Sequence, residues 1–501
     1  MPSTLQPVDP VTLTTVRHAL RHPARLRTEV LAGLVVALAL IPEAISFSII
    51  AGVDPRVGLF TSVTMAVTIA VVGGRRAMIS AATGAIALVV APIVPEYGMD
   101  YLIATVLLGG ALQIVLSVLG VARLMRFIPR SVMVGFVNAL AILIFSSQLP
   151  QLIGVPWLVY PLVAVGIGVI VLLPRLTTVV PAPLVAIVLL TVVTVLAGWQ
   201  VPTVGDQGAL PDSLPSLVWP NVPLTWETLR LIAPYALGMA LVGLIESLMT
   251  AKLVDDITDT HSPKSREAWG QGVANLVSGA FGGMGGCAMI GQTMINVKVS
   301  GARTRISTLL AGSFLLVLVL VLGDVVALIP MAALVAVMIM VSVATFDWHS
   351  VAPATLRRMP LSATAIMVCT VAVTVATHNL AYGVIVGVLV ATVFFARRVA
   401  HFTEVVAEPS TEPGVKTYVV RGPLFFASSN DLVYQFDYAG DPDRVVIDLA
   451  DSQIFDSSTV AALDAIELKY RQHGKSAEVV GLNAASQEWH AKLTGRLGSG
   501  H

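Results

Sequence analysis

Apolar runs of close to 20 residues recur through roughly the first 400 positions of this chain. An α-helix of about 20 residues crosses the hydrocarbon core of a bilayer, so each run is a candidate transmembrane helix. The composition agrees, because 56% of the residues are hydrophobic and only 12% are charged. The sequence therefore predicts an α-helical polytopic membrane protein.

The runs divide into fourteen predicted segments. Their predicted bounds are 29–48, 56–72, 82–95, 101–121, 126–148, 156–174, 182–198, 231–252, 267–282, 287–298, 303–322, 325–345, 361–377 and 381–398. Basic residues such as Arg75 and Arg397 fall in loops on the side of the N-terminus, whereas the loop from Trp199 to Thr228 has no Lys or Arg. Arg56 is the exception. By the positive-inside rule we expect a plasma (inner) membrane protein with both termini in the cytoplasm.

Several functional classes are disfavoured by what the sequence contains. Its 30 basic and 30 acidic residues balance, which gives no indication of nucleic-acid binding. The two cysteines, Cys287 and Cys369, lie in separate apolar segments and suggest neither a disulfide framework nor a metal site. Nothing resembles a nucleophile–base pair or a phosphate loop, so we expect neither an enzyme nor a bound cofactor. Residues 1–28 are predicted as a cytoplasmic segment that is not a cleaved signal peptide.

The third and tenth segments are too short to cross a bilayer. Residues 82–94 follow an entry rich in small residues, and residues 287–298 follow the glycine-rich break at 281–286. A helix of about 12 residues reaches only about 18 Å, so each must begin near the membrane midplane. Each is third in a set of seven, and an odd-numbered set re-enters the membrane inverted. The pattern predicts two inverted repeats, 29–198 and 231–398, with a substrate site at the paired half-helices.

The N-termini of the two half-helices are expected to face each other and to form an anion site. Each N-terminus carries roughly half a positive charge and several unpaired N–H groups, so no Arg or Lys is required. We expect the anion to contact backbone N–H groups near Thr83, Gly84, Ile290 and Gly291, with the side chains of Gln292 and Thr293 on the wall.

Two glutamates lie in or near apolar segments. Glu246 is inside the eighth segment, where a charge is costly, and is therefore a functional candidate. Thr250, one turn later, is expected on the same face. The alternative is a structural carboxylate satisfied by backbone N–H groups of the broken tenth segment. Glu43 follows Pro42 near the end of the first segment, and is interpreted either as a binding-site residue or as an ordinary interfacial glutamate.

Motifs in both repeats resemble the SulP family of anion permeases, the sulfate permease family. They are Ala32–Glu43, Ala51–Pro55, Ile79–Gly84, Glu246–Asp255, Glu267–Asn275, Gly282–Gly286 and Ile290–Asn296. The resemblance implies a seven-plus-seven inverted repeat in which segments one to four and eight to eleven form a core and the others a gate. It also implies a homodimer in the lipid membrane. At single positions it implies that Phe47 lines the anion pocket, and that Gln292 stands where some members carry a basic residue.

After Arg398 the composition changes, which predicts a second, soluble domain. Residues 401–415 are predicted as a polar, proline-bearing linker and residues 416–495 as a small α/β domain. Strand-like runs at 416–420, 444–449 and 477–480 alternate with helical stretches at 428–437 and 457–473.

The segment around Ser458 resembles the STAS domain that ends many SulP proteins. In related anti-sigma-factor antagonists the second serine of Asp-Ser-Ser-Gly is phosphorylated, which makes Ser458 a candidate regulatory residue. Thr459 replaces the glycine here. The alternative is that Asp456 and Ser457 only cap the following helix.

The leading functional prediction is secondary transport of a small anion, a dicarboxylate such as fumarate, or sulfate or bicarbonate, by an elevator-like movement of core against gate. A dianion beside Glu246 without a nearby cation meets repulsion that protonation removes, which favours proton symport. Sodium is the alternative, with Glu246, Thr250 and carbonyls of the tenth segment as oxygen ligands. An anion channel or motor on the same scaffold, and a nucleobase permease, are further alternatives. The permeases usually lack a STAS domain, which argues against them.

Overall fold

The protein is described here from a computed structural model, in which residues 15–120, 128–176, 182–208, 213–400, 402–409 and 414–495 are described. The chain divides into two compact units, Met1–Val388 and Leu389–His501. The first unit and the helix that leads out of it contain the membrane segments. The second unit contains a small mixed sheet with flanking helices.

All fourteen predicted membrane segments are present as helices. The first seven are Pro23–Ile50, Pro55–Val72, Gly84–Val90 continued by Ile93–Tyr97, Met99–Val118, Arg130–Gln148, Val159–Leu172 and Ala182–Leu196. The second seven are Trp226–Thr258, Lys264–Ala280, Ile290–Met294 continued by the π-helical turn Ile295–Val299, Arg305–Ala327, Met331–Thr345, Leu361–Thr377 and Leu380–Ala400. Seven of the described helices are long and apolar enough to cross a membrane, and five more are shorter and apolar.

Two predicted boundaries need correction. The first helix begins at Pro23, not at position 29, because a proline at the first helical position fits the fixed φ of a helix start. Residues 23–28 therefore belong to this helix and not to the predicted N-terminal segment. The eighth helix runs from Trp226 to Thr258, well beyond the predicted 231–252. Its polar ends extend past the apolar stretch that the sequence pattern detects, and the hydroxyl of Thr225 caps its first turn by accepting a hydrogen bond from the N–H of Thr228.

The first unit has the core and gate arrangement that the family resemblance implies. In the core, the ninth helix packs against the fourth, and the eleventh packs against the first and second. In the gate, the thirteenth helix packs against the fifth, and the twelfth packs against the fifth and sixth. Gate helices also present large apolar side chains outward, for example Val188 and Leu196 of the seventh helix, as a lipid-facing surface requires.

The third and tenth segments both begin with a short extended stretch before the helix. Strand β1, Ser80–Ala81, pairs antiparallel with β2, Cys287–Ala288, with Ser80 opposite Ala288 and Ala81 opposite Cys287. Each half-helix starts a few residues after its strand. The two-stranded ladder therefore brings the start of one half-helix close to the start of the other, and it satisfies backbone groups that would otherwise be unpaired inside the membrane.

The described residues of the second unit form five strands: β3, Glu404–Pro409; β4, Val415–Leu424; β5, Arg444–Asp448; β6, Ser452–Ile454; and β7, Ser476–Val480. The sheet order is β3-β4-β5-β7, with β6 paired to β4, and only the β3-β4 pair is antiparallel. Its helices are Phe426–Leu432, Ser457–Gln472 and Ala484–Leu493. The apolar core includes Val420, Ile447, Leu463 and Tyr470.

The predicted linker at 401–415 is corrected by strand β3. Glu404 pairs with Arg421 and Pro409 with Lys416, so residues 404–409 of that segment belong to the sheet. Its charged and proline residues look like a linker, but they are equally typical of an edge strand, whose outer side faces solvent. Strand β6 and the last helix were likewise not predicted.

Candidate functional site

The β1-β2 ladder sets the distance between the two half-helices. The N–H of Met289 donates to the carbonyl of Ile79 at 2.9 Å and extends the contact by one residue. Gly286 permits this approach, since a Cβ built there would lie 2.1 Å from the carbonyl oxygen of Ala81. The glycine-rich break thus serves close backbone contact between the repeats.

At the start of the third half-helix, Thr83 is the N-cap. Its hydroxyl accepts a hydrogen bond from the N–H of Ile86. Gly84 is the first helical residue, and a Cβ added there would lie 2.9 Å from Cε1 of Phe47 and 3.1 Å from Cδ1 of Ile144. Phe47 is almost fully buried. Of the predicted residues, Thr83, Gly84 and Phe47 are therefore brought together, and the fifth helix adds Ile144.

At the start of the tenth half-helix, the surroundings are more open. Met289 is the N-cap and provides no side-chain cap. Gly291 is exposed, and a Cβ built on it would meet no atom within 4 Å. Ile290 is half-buried. The side of this helix start at Gly291 therefore adjoins open space, whereas the start of the third half-helix is covered.

Gln292 and Glu43 join the tenth half-helix to the first helix. Nε2 of Gln292 donates to Oε1 of Glu43 at 2.8 Å. Gln292 is 2% exposed, and its Oε1 has no hydrogen-bond partner among the described residues. Glu43 is only half-buried. The pair places both predicted residues at the site, in contact with each other.

Thr293 lies deeper than predicted. Its hydroxyl accepts from the N–H of Ile79 at 3.0 Å and is fully buried. This contact holds the stretch before β1 and directs the hydroxyl at backbone, away from the open N-terminus. A wall position for the Thr293 side chain was expected from helix order, but the hydroxyl is engaged by the neighbouring repeat.

Glu246 is 7% exposed, and its carboxylate accepts a hydrogen bond from the thiol of Cys287. Sγ of Cys287 lies 2.9 Å from Oε2 of Glu246, and the same sulfur lies 3.1 Å from the hydroxyl oxygen of Thr83. The expected alternative, a carboxylate held by backbone N–H groups of the tenth segment, is thus replaced by a side-chain donor from that segment. Cys287 was not predicted as a site residue, although its place directly after the glycine-rich break was a usable signal.

Thr250 lies one turn after Glu246 and is fully buried. Its hydroxyl donates to the backbone carbonyl of Glu246 at 2.7 Å. The two residues are neighbours on the helix as expected, but the proton of the hydroxyl bonds the helix backbone and not the carboxylate.

Uncharged polar side chains fix the extended stretch around β2. Asn275 exchanges two hydrogen bonds with Gly286, donating to its carbonyl at 3.0 Å and accepting from its N–H at 2.8 Å. Oγ of Ser247, next to Glu246, accepts from the N–H of Ala288 at 3.1 Å. Sequence reasoning missed both contacts, because neither residue type nor spacing distinguishes them from other buried polar residues.

Carboxylates secure the opposite end of the broken segments. Oε2 of Glu267, at the start of the ninth helix, accepts from the N–H groups of Gly74 and Arg75, each at 2.7 Å. Glu29, near the start of the first helix, accepts from the N–H of Arg303 at 2.8 Å. The end of the tenth segment thus lies at the face where the first helix begins. The third half-helix leads to the other face.

In the second unit, Asp456 caps the helix Ser457–Gln472. Its Oδ1 accepts from the N–H groups of Ser458 and Thr459 at 3.1 and 3.2 Å. Asp456 is therefore a helix cap, and a regulatory role of Ser458 stays a prediction. The side chain of Ser458 is exposed at this helix start.

Comparison with known proteins identifies the chain. A family model described as "Sulfate permease family" matches residues 26–161 and 162–370. The chain belongs to this sulfate permease family. A second model, "STAS domain", matches residues 407–494, so the second unit is a STAS domain.

Relatives of this sulfate permease family member include "Putative sulfate transporter YbaR" of Bacillus subtilis (strain 168), which is 52% identical and is aligned over 92% of this chain and 96% of its own length. The solved transmembrane domain of the cyanobacterial bicarbonate transporter BicA is 25% identical with a TM-score of 0.65, covering 72% of this chain and 98% of that one. Murine Slc26a9, an anion transporter solved in an inward-facing state, has a TM-score of 0.79 at 17% identity, covering 93% of this chain and 87% of its own, and shows the shared fold. This family member is therefore a multi-pass membrane protein for anion transport.

Proposed function

We propose that the protein is a secondary active transporter that carries a small anion together with a proton. One observation carries this proposal: the buried carboxylate of Glu246 lies beside two half-helix N-termini, and among the described residues the side chains that contact it include no Lys or Arg. The helix ends supply attraction for an anion, and Glu246 supplies a group whose ionisation opposes it.

The substrate is proposed to be a carboxylate, dicarboxylate or small oxyanion. The helix N-termini offer N–H donors without a fixed cation, which suits delocalised oxygen atoms of any such ion. Relatives are named for sulfate and bicarbonate. A dicarboxylate such as fumarate is favoured over sulfate, because a carboxylate substrate can share the transported proton with Glu246.

Proton coupling is preferred to sodium coupling because of the partner of Glu246. A hard cation such as sodium prefers oxygen ligands, whereas the group that donates a hydrogen bond to Oε2 of Glu246 is the thiol of Cys287. Neutralising the carboxylate with a proton keeps the thiol contact possible in both ionisation states, since thiol and carboxyl can each donate. Sodium remains the alternative that the transport assay must test.

The movement is proposed to be elevator-like, with both termini in the cytoplasm and two copies forming a dimer. The site residues lie on the core helices, while Ile144 of the gate contacts them from outside the core. A core that carries all of its ligand groups can move past the gate without dismantling the site.

The test is uptake into proteoliposomes of labelled sulfate, bicarbonate, chloride, oxalate, fumarate and succinate. Each anion is measured with an inward proton gradient, with a sodium gradient, and with neither. We expect at least one carboxylate or oxyanion to accumulate above equilibrium only when the proton gradient is present. Accumulation that depends on sodium and ignores the pH gradient would refute the proton mechanism. Downhill conduction without accumulation would favour the channel alternative.

A further inference from the structure

Each half-helix carries a glycine three residues after the end of its strand, but the surroundings of these two glycines differ. Gly84 is the first residue of Gly84–Val90, and Gly291 is the second of Ile290–Met294. Gly84 is buried under the side chains of Phe47 and Ile144, whereas Gly291 is exposed with nothing near it. One N-terminus is thus covered and the other is open.

The cover on Gly84 comes partly from the gate. Phe47 belongs to the core and moves with Gly84, but Ile144 lies in the fifth helix. Two atoms of Ile144, Cδ1 and Cγ1, lie 3.1 and 3.3 Å from a Cβ built on Gly84. Ile144 is therefore the residue that must leave if the core slides away from the gate.

The gate contains a counterpart of Ile144 in the second repeat. The fifth and twelfth helices both follow an Ile-Pro pair, Ile128-Pro129 and Ile329-Pro330, and in each case the proline is the N-cap. Ile144 is 15 positions after Pro129 (144 − 129), and the same count from Pro330 reaches Thr345 (330 + 15). Thr345 is the last residue of the twelfth helix and is half-buried.

We propose that Ile144 and Thr345 are the gate residues that cover the two half-helix N-termini in turn. In the present state Ile144 covers Gly84 and the N-terminus at Gly291 is open. In inverted-repeat carriers the opposite state arises when the two repeats exchange conformations. Thr345 then covers Gly291, and Ile144 releases Gly84. This inference rests on the proposed transport function and assigns residues to its two closed positions.

The open N-terminus in the present state belongs to the half-helix that leads to the face where the first helix begins. With the proposed orientation this face is cytoplasmic. Beyond Ile144, on the other side, lies a cavity of about 330 Å³ between core and gate, lined by residues that include Ser46, Leu88, Ser147 and Leu334. The residues that line this cavity are expected to become more accessible when Ile144 leaves Gly84.

The test uses a cysteine at this cavity as a reporter. Ser147→Cys is made in the full chain, reconstituted in nanodiscs so that both faces are accessible, and its modification by a charged thiol reagent is followed by peptide-resolved mass spectrometry. The native cysteines, Cys287 and Cys369, lie in other peptides, and their modification gives the background rate. Gly84→Ala inserts a Cβ against Ile144, and this overpacking should destabilise the present state relative to the state in which Ile144 has left Gly84. The modification rate of the Ser147→Cys reporter should then rise about fivefold or more.

Four further variants make the result specific. Ile144→Val removes Cδ1 and should return the Gly84→Ala rate towards that of the parent. Gly168→Ala is the matched control, because a Cβ at Gly168 also meets nothing within 4 Å but lies in the sixth helix, away from the site; it should change nothing. The added Cβ of Gly291→Ala has room in the present state but should clash with Thr345 in the other state. Gly291→Ala should therefore lower the reporter rate, and adding Thr345→Ala should restore that rate.

An unchanged reporter rate in Gly84→Ala, or a raised rate that Ile144→Val does not reverse, would overturn the role of Ile144. If Gly84→Ala does not fold, Ile144→Ala replaces it, since it removes the cover without needing space, and should also raise the rate. A Gly291→Ala rate equal to that of the parent would overturn the role of Thr345. Labelling needs no transported substrate, so expected labelling without any anion uptake would refute the transport function and leave the gating assignment standing.

Discussion

The sulfur of Cys287 lies 2.9 Å from Oε2 of Glu246, and so joins the glutamate of the eighth helix to the break before the tenth. The same sulfur is 3.1 Å from the hydroxyl of Thr83, which caps the third half-helix. A single thiol thus connects the buried acid to the start of the opposite repeat. Its hydrogen bonds can change direction when Glu246 gains or loses a proton.

Cys287→Ala should destabilise the protein and disturb its pH dependence. Removing the thiol leaves a buried carboxylate oxygen without its donor, which costs about 1–3 kcal/mol. Cys287→Ser keeps an O–H donor in nearly the same place and should restore most of the loss. The measurements are thermal unfolding in detergent and initial uptake rates across a pH series. Equal behaviour of the alanine and serine variants would show that the thiol only fills space.

Glu246→Gln should separate binding from coupling. The amide has the shape of the protonated acid but cannot release a proton, so anion exchange should persist while proton-driven accumulation is lost. Exchange and accumulation are measured in the same proteoliposomes. As a control, Glu227→Gln changes an exposed glutamate in the first turn of the same helix and should leave both activities intact. Proton-driven accumulation by Glu246→Gln at the rate of the parent would move the coupling site elsewhere.

Gly291→Trp should block the anion site without unfolding the protein. A Cβ at Gly291 meets nothing within 4 Å, so the side chain can enter the space that the anion is proposed to occupy. Binding of the transported anion, measured by its thermal stabilisation of the protein, should weaken by about tenfold or more, equivalent to about 1.4 kcal/mol. Gly168→Trp, at a similarly open glycine of the sixth helix, should bind like the parent. Unchanged affinity and turnover in Gly291→Trp would place the site elsewhere.

Deleting residues 404–501 should leave anion binding intact, because every residue of the proposed site precedes position 404. The deletion begins at 404 and not at Lys416, since a cut at 416 would leave strand β3 without its partner β4. An unpaired strand is a template for aggregation. The transport rate is expected to fall, because the soluble domain follows the last gate helix along the chain and can guide gate movement. Complete loss of binding in a correctly inserted truncation would contradict this division.

The STAS domain should lose stability in acid through Asp441. This residue is 4% exposed, and its burial alone would raise its pKa. Hydrogen bonds from Lys416, Tyr470 and Tyr418 outweigh the effect of burial and lower the pKa of Asp441 below the ordinary value of 3.8. A lowered pKa stabilises the folded state above the ordinary value, and this contribution is lost as the pH falls below about 3.8.

Urea unfolding of the fragment 404–501 between pH 3 and pH 7 would measure this effect. Asp441→Asn should lower the free energy of unfolding at pH 7 by about 1–3 kcal/mol and flatten its pH dependence. Asp451→Asn is the control. The side chain of Asp451 is 67% exposed, and its ion pair with Arg421, with 3.6 Å between Oδ2 and Nε, lies at the surface. A pH profile shared by Asp441→Asn and the parent would assign the acid sensitivity to other carboxylates.

Much of the architecture was accessible from local sequence patterns. Apolar runs gave the fourteen helices, and the short, glycine-preceded third and tenth segments gave the half-helices, because helix length and glycine content act within a few residues. The contacts of the site were not accessible in the same way. Cys287 contacts Glu246, 41 positions away in the sequence, and Thr83, 204 positions away. Both contacts depend on the register of the β1-β2 ladder. The contact between Thr293 and Ile79 was not accessible for the same reason, since Ile79 lies in the other repeat.

Because the two half-helices leave one ladder in opposite directions, their dipoles point along the membrane normal with opposite sign. A transmembrane voltage therefore pulls on them equally and oppositely, and moving the core does little electrical work on the backbone itself. What the voltage acts on is the net charge of Glu246 and its cargo, at about 2.3 kcal/mol per elementary charge per 100 mV. In the proposed symport the core returns empty with Glu246 ionised, so the rate of this return step should depend on the voltage, which patch-clamp currents recorded at different holding potentials would reveal.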